Sequence, residues 1–216
     1  DPFVGITVSG GILSVSITAR TSTDDANERV AAIADRVWAS FGPHAFGRDG
    51  VTIEEALLAA LRARGARLAI AESCTGGLAS RLITRVPGAS DVFVQGIVSY
   101  ANAAKVRLLG VSPQALRDHG AVSPVVARQM AAGVATSAGV ECGIGTTGVA
   151  GPGGGTAAKP VGRVEFGVAW RGELYDRGTT FVGDRESIQL RGARYALDLA
   201  RRAVLGTLER ESRPTT

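Results

Sequence analysis

The stretch that decides the fold is Arg67-Leu-Ala-Ile-Ala-Glu-Ser-Cys-Thr-Gly-Gly77. Leu68, Ala69, Ile70 and Ala71 form a short apolar run, the pattern of a buried strand. Glu72, Ser73, Cys74 and Thr75 then set four reactive or hydrogen-bonding side chains at its carboxyl end. Gly76 and Gly77 allow the backbone to turn tightly and to approach a ligand closely. Residues 78–86 continue at helical spacing. A strand-to-helix turn of this kind aims free backbone N–H groups at whatever sits above it, which favours an anion or a developing oxyanion.

Helices and strands alternate on both sides of this turn. Thr52-Ile-Glu-Glu55 has capping-box spacing, with Val51 where a hydrophobic staple would sit. The helix it opens carries Leu57, Leu58 and Leu61 and stops at Gly65. Pro87-Gly88 breaks the helix that follows the turn, and residues 92–100 read as a second buried strand. Asn102 is expected to cap a short helix holding Lys105, Val106 and Leu109. Ser112-Pro113 and Ser123-Pro124 are cap-plus-proline helix starts, the second opening a helix through Val126, Met130 and Val134. Residues 141–147 are a third strand and 148–162 a glycine-rich loop. A hairpin over Arg171-Gly172 joins residues 164–170 to 174–182, and Asp184 caps a last helix reaching about Glu209. This order predicts an α/β fold: a three-layer α/β/α sandwich with a mixed, mostly parallel sheet.

Residues 1–50 predict a small α+β appendage. Two alternating apolar runs flank Gly10-Gly11, a hairpin signal. Ser22 or Thr23 caps a helix carrying Val30, Ile33, Val37, Trp38 and Phe41, and residues 41–50 are a turn-rich linker. Fifty residues are marginal as an independent core, and the chain starts at Asp1. The expectation is therefore the end of a domain that begins upstream, then a main domain over 51–212 and a disordered tail over 213–216.

Composition bounds the function. The chain has 216 residues, 45% apolar and 20% charged, enough for one large domain with an appendage. No apolar run approaches the ~18 residues of a membrane span, and no signal-peptide pattern opens the chain, so a membrane partner is not expected. Two cysteines do not make a disulfide framework, which fits a reducing cytoplasm. The formal charge is +4; the arginines of the last helix alternate with acids and aromatics are few, which argues against a nucleic-acid surface. No His/Cys/Asp cluster has ligand spacing, so neither a metal nor a cofactor is expected.

Parallel strands place their sites outside their carboxyl ends. Three loops should therefore converge, carrying Ser73, Cys74 and Thr75; Tyr100, Asn102 and Lys105; and Thr147 with the glycine loop. Ser73 is the candidate nucleophile and needs a base. Lys105, helped by Tyr100, serves if burial or a neighbouring cation lowers its pKa from ~10.4. A triad through His119 is the alternative, and Cys74 is a rival nucleophile that fits better as a small apolar core residue. Backbone N–H groups from Thr75 to Gly77 would hold an oxyanion. Gly143-Ile-Gly-Thr-Thr-Gly148 matches a dinucleotide fingerprint only formally, since no helix follows it. Lys159 in the loop and Arg185 at the start of the last helix could each meet a phosphate or carboxylate.

These motifs resemble the CinA C-terminal domain, the nicotinamide-nucleotide amidase (NMN deamidase) family. The resemblance rests on Ala71-Glu-Ser-Cys-Thr-Gly-Gly77, Ser99-Tyr-Ala-Asn-Ala-Ala-Lys105, His119-Gly-Ala-Val-Ser123, Thr147-Gly-Val-Ala-Gly-Pro-Gly-Gly-Gly155, Lys159-Pro-Val-Gly162 and Gly183-Asp-Arg185. It covers about residues 51–210, while 1–50 resemble the end of the family's KH-like middle domain. It implies hydrolysis of the carboxamide of nicotinamide mononucleotide to nicotinate mononucleotide and ammonia, without a cofactor. It implies Ser73 as nucleophile, Tyr100 and Lys105 as its polar partners, and Arg185 as an active-site arginine. Thr147 would open a substrate loop through Gly148 and Gly151, with Thr75, Gly76, Gly77, Asn102 and Lys159 on the substrate side. It also implies a homodimer. Gly153 stands where the family often has Asp, and Ala103 where it often has Glu or Arg. The alternative to the amidase is a non-catalytic nucleotide- or protein-binding module.

Overall fold

A computed structural model of the chain describes residues 2–20 and 23–209. Its elements run β1 (Phe3–Ser9), β2 (Ile12–Thr18), α1 (Asp24–Phe41), α2 (Ile53–Ala63), β3 (Leu68–Glu72), α3 (Leu78–Thr84), β4 (Phe93–Val98), α4 (Asn102–Leu109), α5 (Pro113–His119), α6 (Pro124–Ala138), β5 (Cys142–Gly148), β6 (Arg163–Trp170), β7 (Glu173–Thr180) and α7 (Arg185–Val204). Local chemistry sets many of the boundaries. Thr52 and Glu55 close a reciprocal capping box on α2. Ser112 and Ser123 cap α5 and α6 with proline in the first turn, and the Asp184 carboxylate accepts from the Ser187 N–H at the start of α7.

Strands β3 to β7 form one mixed sheet in the order β4-β3-β5-β6-β7. β3 pairs in parallel with β4 and β5, whereas the β5–β6 and β6–β7 pairs are antiparallel. Helices α2, α3 and α7 cover one face and α6 the other, which gives three layers. The alternation of side chains along β3 divides the core. Leu68 and Ile70 join Leu57, Leu58, Leu61 and Leu197, while Ala69 and Ala71 meet Val126, Met130 and Val134 of α6.

Glycines bring α6 onto the sheet backbone to backbone. A Cβ at Gly143 would lie 2.2 Å from the Ala131 carbonyl oxygen, and one at Gly145 or Gly167 would lie 2.4 or 2.2 Å from that of Ala127. Gly143 and Gly145 are thus packing residues inside β5, and the formal dinucleotide fingerprint has no ligand-binding role at those positions. With α6 seated this closely, the α5–α6 connection reaches the carboxyl end of β3.

Three expectations are corrected. The strand after α3 lies at the sheet edge, and its burial alternates along the chain rather than being complete. Ala101, in extended conformation, holds the cap position of α4, and Asn102 is already the first helical residue. Helix α7 stops at Val204: Gly206 takes φ +73°, and bonds from the N–H groups of Thr207 and Gly206 to the carbonyls of Arg202 and Ala203 close the end.

The amino-terminal unit is an antiparallel β1–β2 hairpin with α1 against it. Thr23 caps α1; Ser22, the alternative cap, and residues 213–216 lie outside the described residues. The hairpin turn rests on α7, where the Arg194 guanidinium donates to the Gly10 carbonyl at 2.9 Å, and Arg201 donates to the Pro43 carbonyl at 2.6 Å. Ile6 and Val8 of β1 remain 65% and 70% exposed, so the hairpin adds little to the core.

Candidate active site

β3 ends where the chain must turn, and Glu72 organises that turn. Its fully buried carboxylate accepts from the backbone N–H groups of Gly77, Ala79 and Ser80 and from the Ser80 hydroxyl, at 2.7–3.0 Å. It therefore occupies the amino end of α3, where a negative charge is favoured by the exposed N–H groups. Gly76 and Gly77 adopt φ +64° and +97°, a region costly for side-chain-bearing residues. The sequence pattern gave no sign of this role for Glu72, because its partners belong to the next helix.

With Glu72 facing α3, Ser73 faces the opposite side of the sheet. Its N–H is fixed to the Thr146 carbonyl of β5 at 3.0 Å. Lys105, from the first turn of α4, reaches under the β4–α4 connection and is 1% exposed. Its Nζ lies 2.9 Å from Ser73 Oγ, 2.8 Å from the Ser99 carbonyl and 3.3 Å from the Tyr100 carbonyl. Burial pushes the Lys105 ammonium below its ordinary pKa. In the neutral amine two N–H bonds can serve the two carbonyls, leaving the lone pair for the Ser73 hydroxyl.

The two residues open into a cavity of about 180 Å³, lined also by Cys74, Tyr100, Asn102, Ala121, Val122, Thr147, Gly148, Ala150 and Arg185. Its wall contains two basic side chains, Lys105 and Arg185, and no carboxylate. The Thr147 hydroxyl donates to the Ala121 carbonyl at 2.9 Å, which fixes the wall contributed by the α5–α6 connection. Arg185 donates to the Gly151 carbonyl at 2.8 Å and to the Tyr100 hydroxyl at 2.9 Å, so it ties the glycine loop to the rim.

The expected site residues fall into two groups. Ser73, Tyr100, Asn102, Lys105, Thr147, Gly148 and Arg185 line the cavity. Thr75, Gly76, Gly77, Gly151 and Lys159 do not. The Thr75 hydroxyl bonds the Thr146 hydroxyl at 2.8 Å in the interior, and Lys159 Nζ is held by the His119 carbonyl. Gly151 contributes only its carbonyl, to Arg185. The N–H of Gly76 is bonded to the Ser73 carbonyl and that of Gly77 to Glu72, so neither can hold an oxyanion. Among the described residues, the Cys74 N–H is turned onto its own thiol and the Thr75 N–H donates no hydrogen bond, which leaves Thr75 as the free donor at this turn.

The rival chemistries are displaced. Tyr100 is 61% exposed, with its hydroxyl on Arg185, and it reaches Lys105 through its carbonyl, whereas Lys105 touches Ser73 directly. His119 is exposed at the end of α5 and does not line the cavity. Cys74 lines it, but burial pushes its thiol up to about 12; its own backbone N–H pulls the other way, the Glu72 carboxylate adds to the rise, and Lys105 and Arg185 lower it by less. Among the described residues no group of three or more His, Cys, Asp or Glu could hold a metal ion, and no helix is long and apolar enough to cross a membrane.

The family model for the CinA C-terminal domain matches residues 51–204, the whole of the sheet-bearing unit and all cavity residues. The chain belongs to the CinA family. A CinA-like protein of Anaeromyxobacter dehalogenans is 46% identical over 180 residues, covering 83% of this chain and 44% of that protein. A CinA-like protein of Kosmotoga olearia is 40% identical over 206 residues, covering 95% of this chain and 50% of that one. The chain thus spans about half the length of the curated relatives it matches. Among solved structures, a CinA superfamily protein from Klebsiella pneumoniae superposes with a TM-score of 0.69 at 32% identity, over 71% of this chain and 96% of that one. The competence/damage inducible protein of Agrobacterium tumefaciens gives 0.66 at 36% identity, over 68% and 90%. These CinA structures share the α/β sandwich described above.

Proposed function

We propose that this chain is an amidohydrolase that converts nicotinamide mononucleotide to nicotinate mononucleotide and ammonia, with Ser73 as nucleophile and Lys105 as general base. The observation that carries the proposal is the buried Lys105 Nζ, 2.9 Å from Ser73 Oγ with two backbone carbonyls as its other partners. Neutral Lys105 takes the Ser73 proton as Oγ attacks the carboxamide carbon. It returns the proton to the departing nitrogen, so ammonia leaves and an acyl-serine remains. Water attacks that ester as Lys105 again accepts a proton, and Ser73 and the carboxylate product are released.

Size and charge support a small amide carrying a negative group. A cavity of about 180 Å³ takes a ring and its carboxamide, with the remainder of a nucleotide over the rim. Arg185 and Asn102 are the rim groups for a phosphate; the Asn102 side chain makes no hydrogen bond among the described residues. The reaction needs no cofactor. We place the amidase domain at residues 51–212, after the end of a KH-like middle domain over 1–50, in a cytoplasmic homodimer.

A second proposal, a nucleotide- or protein-binding module without turnover, is favoured by one observation: the Arg185 guanidinium is already engaged by Gly151 and Tyr100. Incubation with nicotinamide mononucleotide separates the two. The amidase yields ammonia and nicotinate mononucleotide in equal amounts, whereas binding without product supports the module.

A further inference from the structure

Gln189 lies one helical turn after Arg185 on α7, and its half-buried side chain leaves its own helix for the nucleophile turn. Nε2 donates to the Cys74 carbonyl at 2.8 Å, across 115 residues of sequence. The Cys74 carbonyl and the Thr75 N–H belong to one rigid trans peptide plane and point in opposite directions. Helix α7 packs on the face that carries Ile70 and Glu72, whereas Ser73 and Lys105 lie on the other side of the sheet. Drawing the carbonyl toward α7 therefore turns the Thr75 N–H away from α7, toward the nucleophile side. That N–H is the one at this turn that donates no hydrogen bond among the described residues.

We infer that Gln189 is a positioning residue that sets the oxyanion hole of this site, holding the Cys74–Thr75 peptide so that the Thr75 N–H meets the developing oxyanion. The inference rests on the serine-nucleophile proposal. The bonds of Gly76 to Ser73 and of Leu78 to Thr75 close the turn on either side of this peptide, but no other side chain donates to its carbonyl among the described residues, so without the Gln189 amide the orientation of the donor is held less firmly. Loss of one fixed oxyanion donor slows reactions of this kind by about 10²–10³. A donor retained but no longer held should cost less, about tenfold or more.

The test is labelling of the full chain by an alkyl fluorophosphonate, in which Ser73 Oγ bonds to phosphorus, fluoride departs and the phosphoryl oxygen occupies the oxyanion hole. The rate is measured against probe concentration, which separates the maximal labelling rate from the half-saturating concentration. Gln189→Met keeps the side-chain length and removes the donor; Gln189→Glu keeps the shape and places an acceptor against the carbonyl. The inference predicts a maximal rate at least tenfold lower in both, with the half-saturating concentration within twofold of wild type and unchanged melting temperature. Labelling of either folded variant at the wild-type maximal rate overturns it. So does a loss carried by the half-saturating concentration or matched by a fall in melting temperature, since packing alone would produce that. Failure of the wild-type chain to label at Ser73 removes the serine proposal itself, and this inference with it.

Discussion

Replacing Lys105 by methionine separates a working base from a buried structural lysine. The side chain is 1% exposed, and methionine fills nearly the same volume while removing the contacts to Ser73 Oγ and to the Ser99 and Tyr100 carbonyls. Loss of a positioned general base costs about 10²–10⁴ in rate, or about 3–5 kcal/mol in the barrier at 1.36 kcal/mol per tenfold. The assay is ammonia release at saturating nicotinamide mononucleotide. Lys105→Arg should be as inactive at every pH, because a guanidinium does not deprotonate. In the wild type, turnover should rise with pH through the lowered pKa of Lys105, since the neutral amine is the active form. Stability supplies a second readout. A lysine with a folded pKa below its unfolded value binds fewer protons folded than unfolded, so stability rises with pH between the two values. Lys105→Met lacks this, so the stability of wild type relative to the variant should increase as pH rises from the lowered folded pKa toward the unfolded value of about 10.4. A folded Lys105→Met chain with turnover within tenfold of wild type would refute the assignment.

Three further outcomes follow from the geometry. Iodoacetamide at about pH 8 should leave turnover unchanged over the time that alkylates a thiol of ordinary pKa, ~8.5, because the Cys74 thiol is pushed up to about 12; rapid inactivation with Cys74 modified would restore it as a nucleophile. Arg185→Ala should raise KM about 10- to 100-fold if it holds the substrate anion, the worth of one hydrogen bond between charged groups, and an unchanged KM would move the phosphate elsewhere. Gly145→Ala sets a methyl group 2.4 Å from the Ala127 carbonyl oxygen and 2.8 Å from the Ala131 nitrogen. It should cost about 1–3 kcal/mol in urea unfolding, and a neutral result would mean that α6 does not seat against β5 as described.

Much of the site's neighbourhood is legible in the sequence because it is local. The apolar run before Glu72 and the glycine pair after Thr75 mark a strand-to-helix turn, and Ser73, Tyr100 and Lys105 follow strand ends. The serine-proline pairs and the capping box likewise act within a few residues. What depends on distant partners is not legible. Nothing in residues 92–100 says that β4 has a neighbour on one side only. Glycines 143, 145 and 167 acquire their role only when α6 is laid across them. Tyr100 offers a hydroxyl in the sequence, yet folding gives that hydroxyl to Arg185 and delivers the carbonyl to Lys105. Glu72 sits beside the nucleophile and caps the next helix, and Gln189 reaches Cys74 from the far end of the chain.

The serine mechanism is tested most directly by incubating the purified chain and its Ser73→Ala variant with nicotinamide mononucleotide in the absence of added metal, with ammonia and nicotinate mononucleotide both followed. The wild type should form the two products in equal amounts, and a Ser73→Ala chain that still melts cooperatively should form none above background. Undiminished product from the Ser73→Ala chain would contradict the serine mechanism, and a folded wild-type chain that binds the nucleotide without forming either product would contradict the amidase.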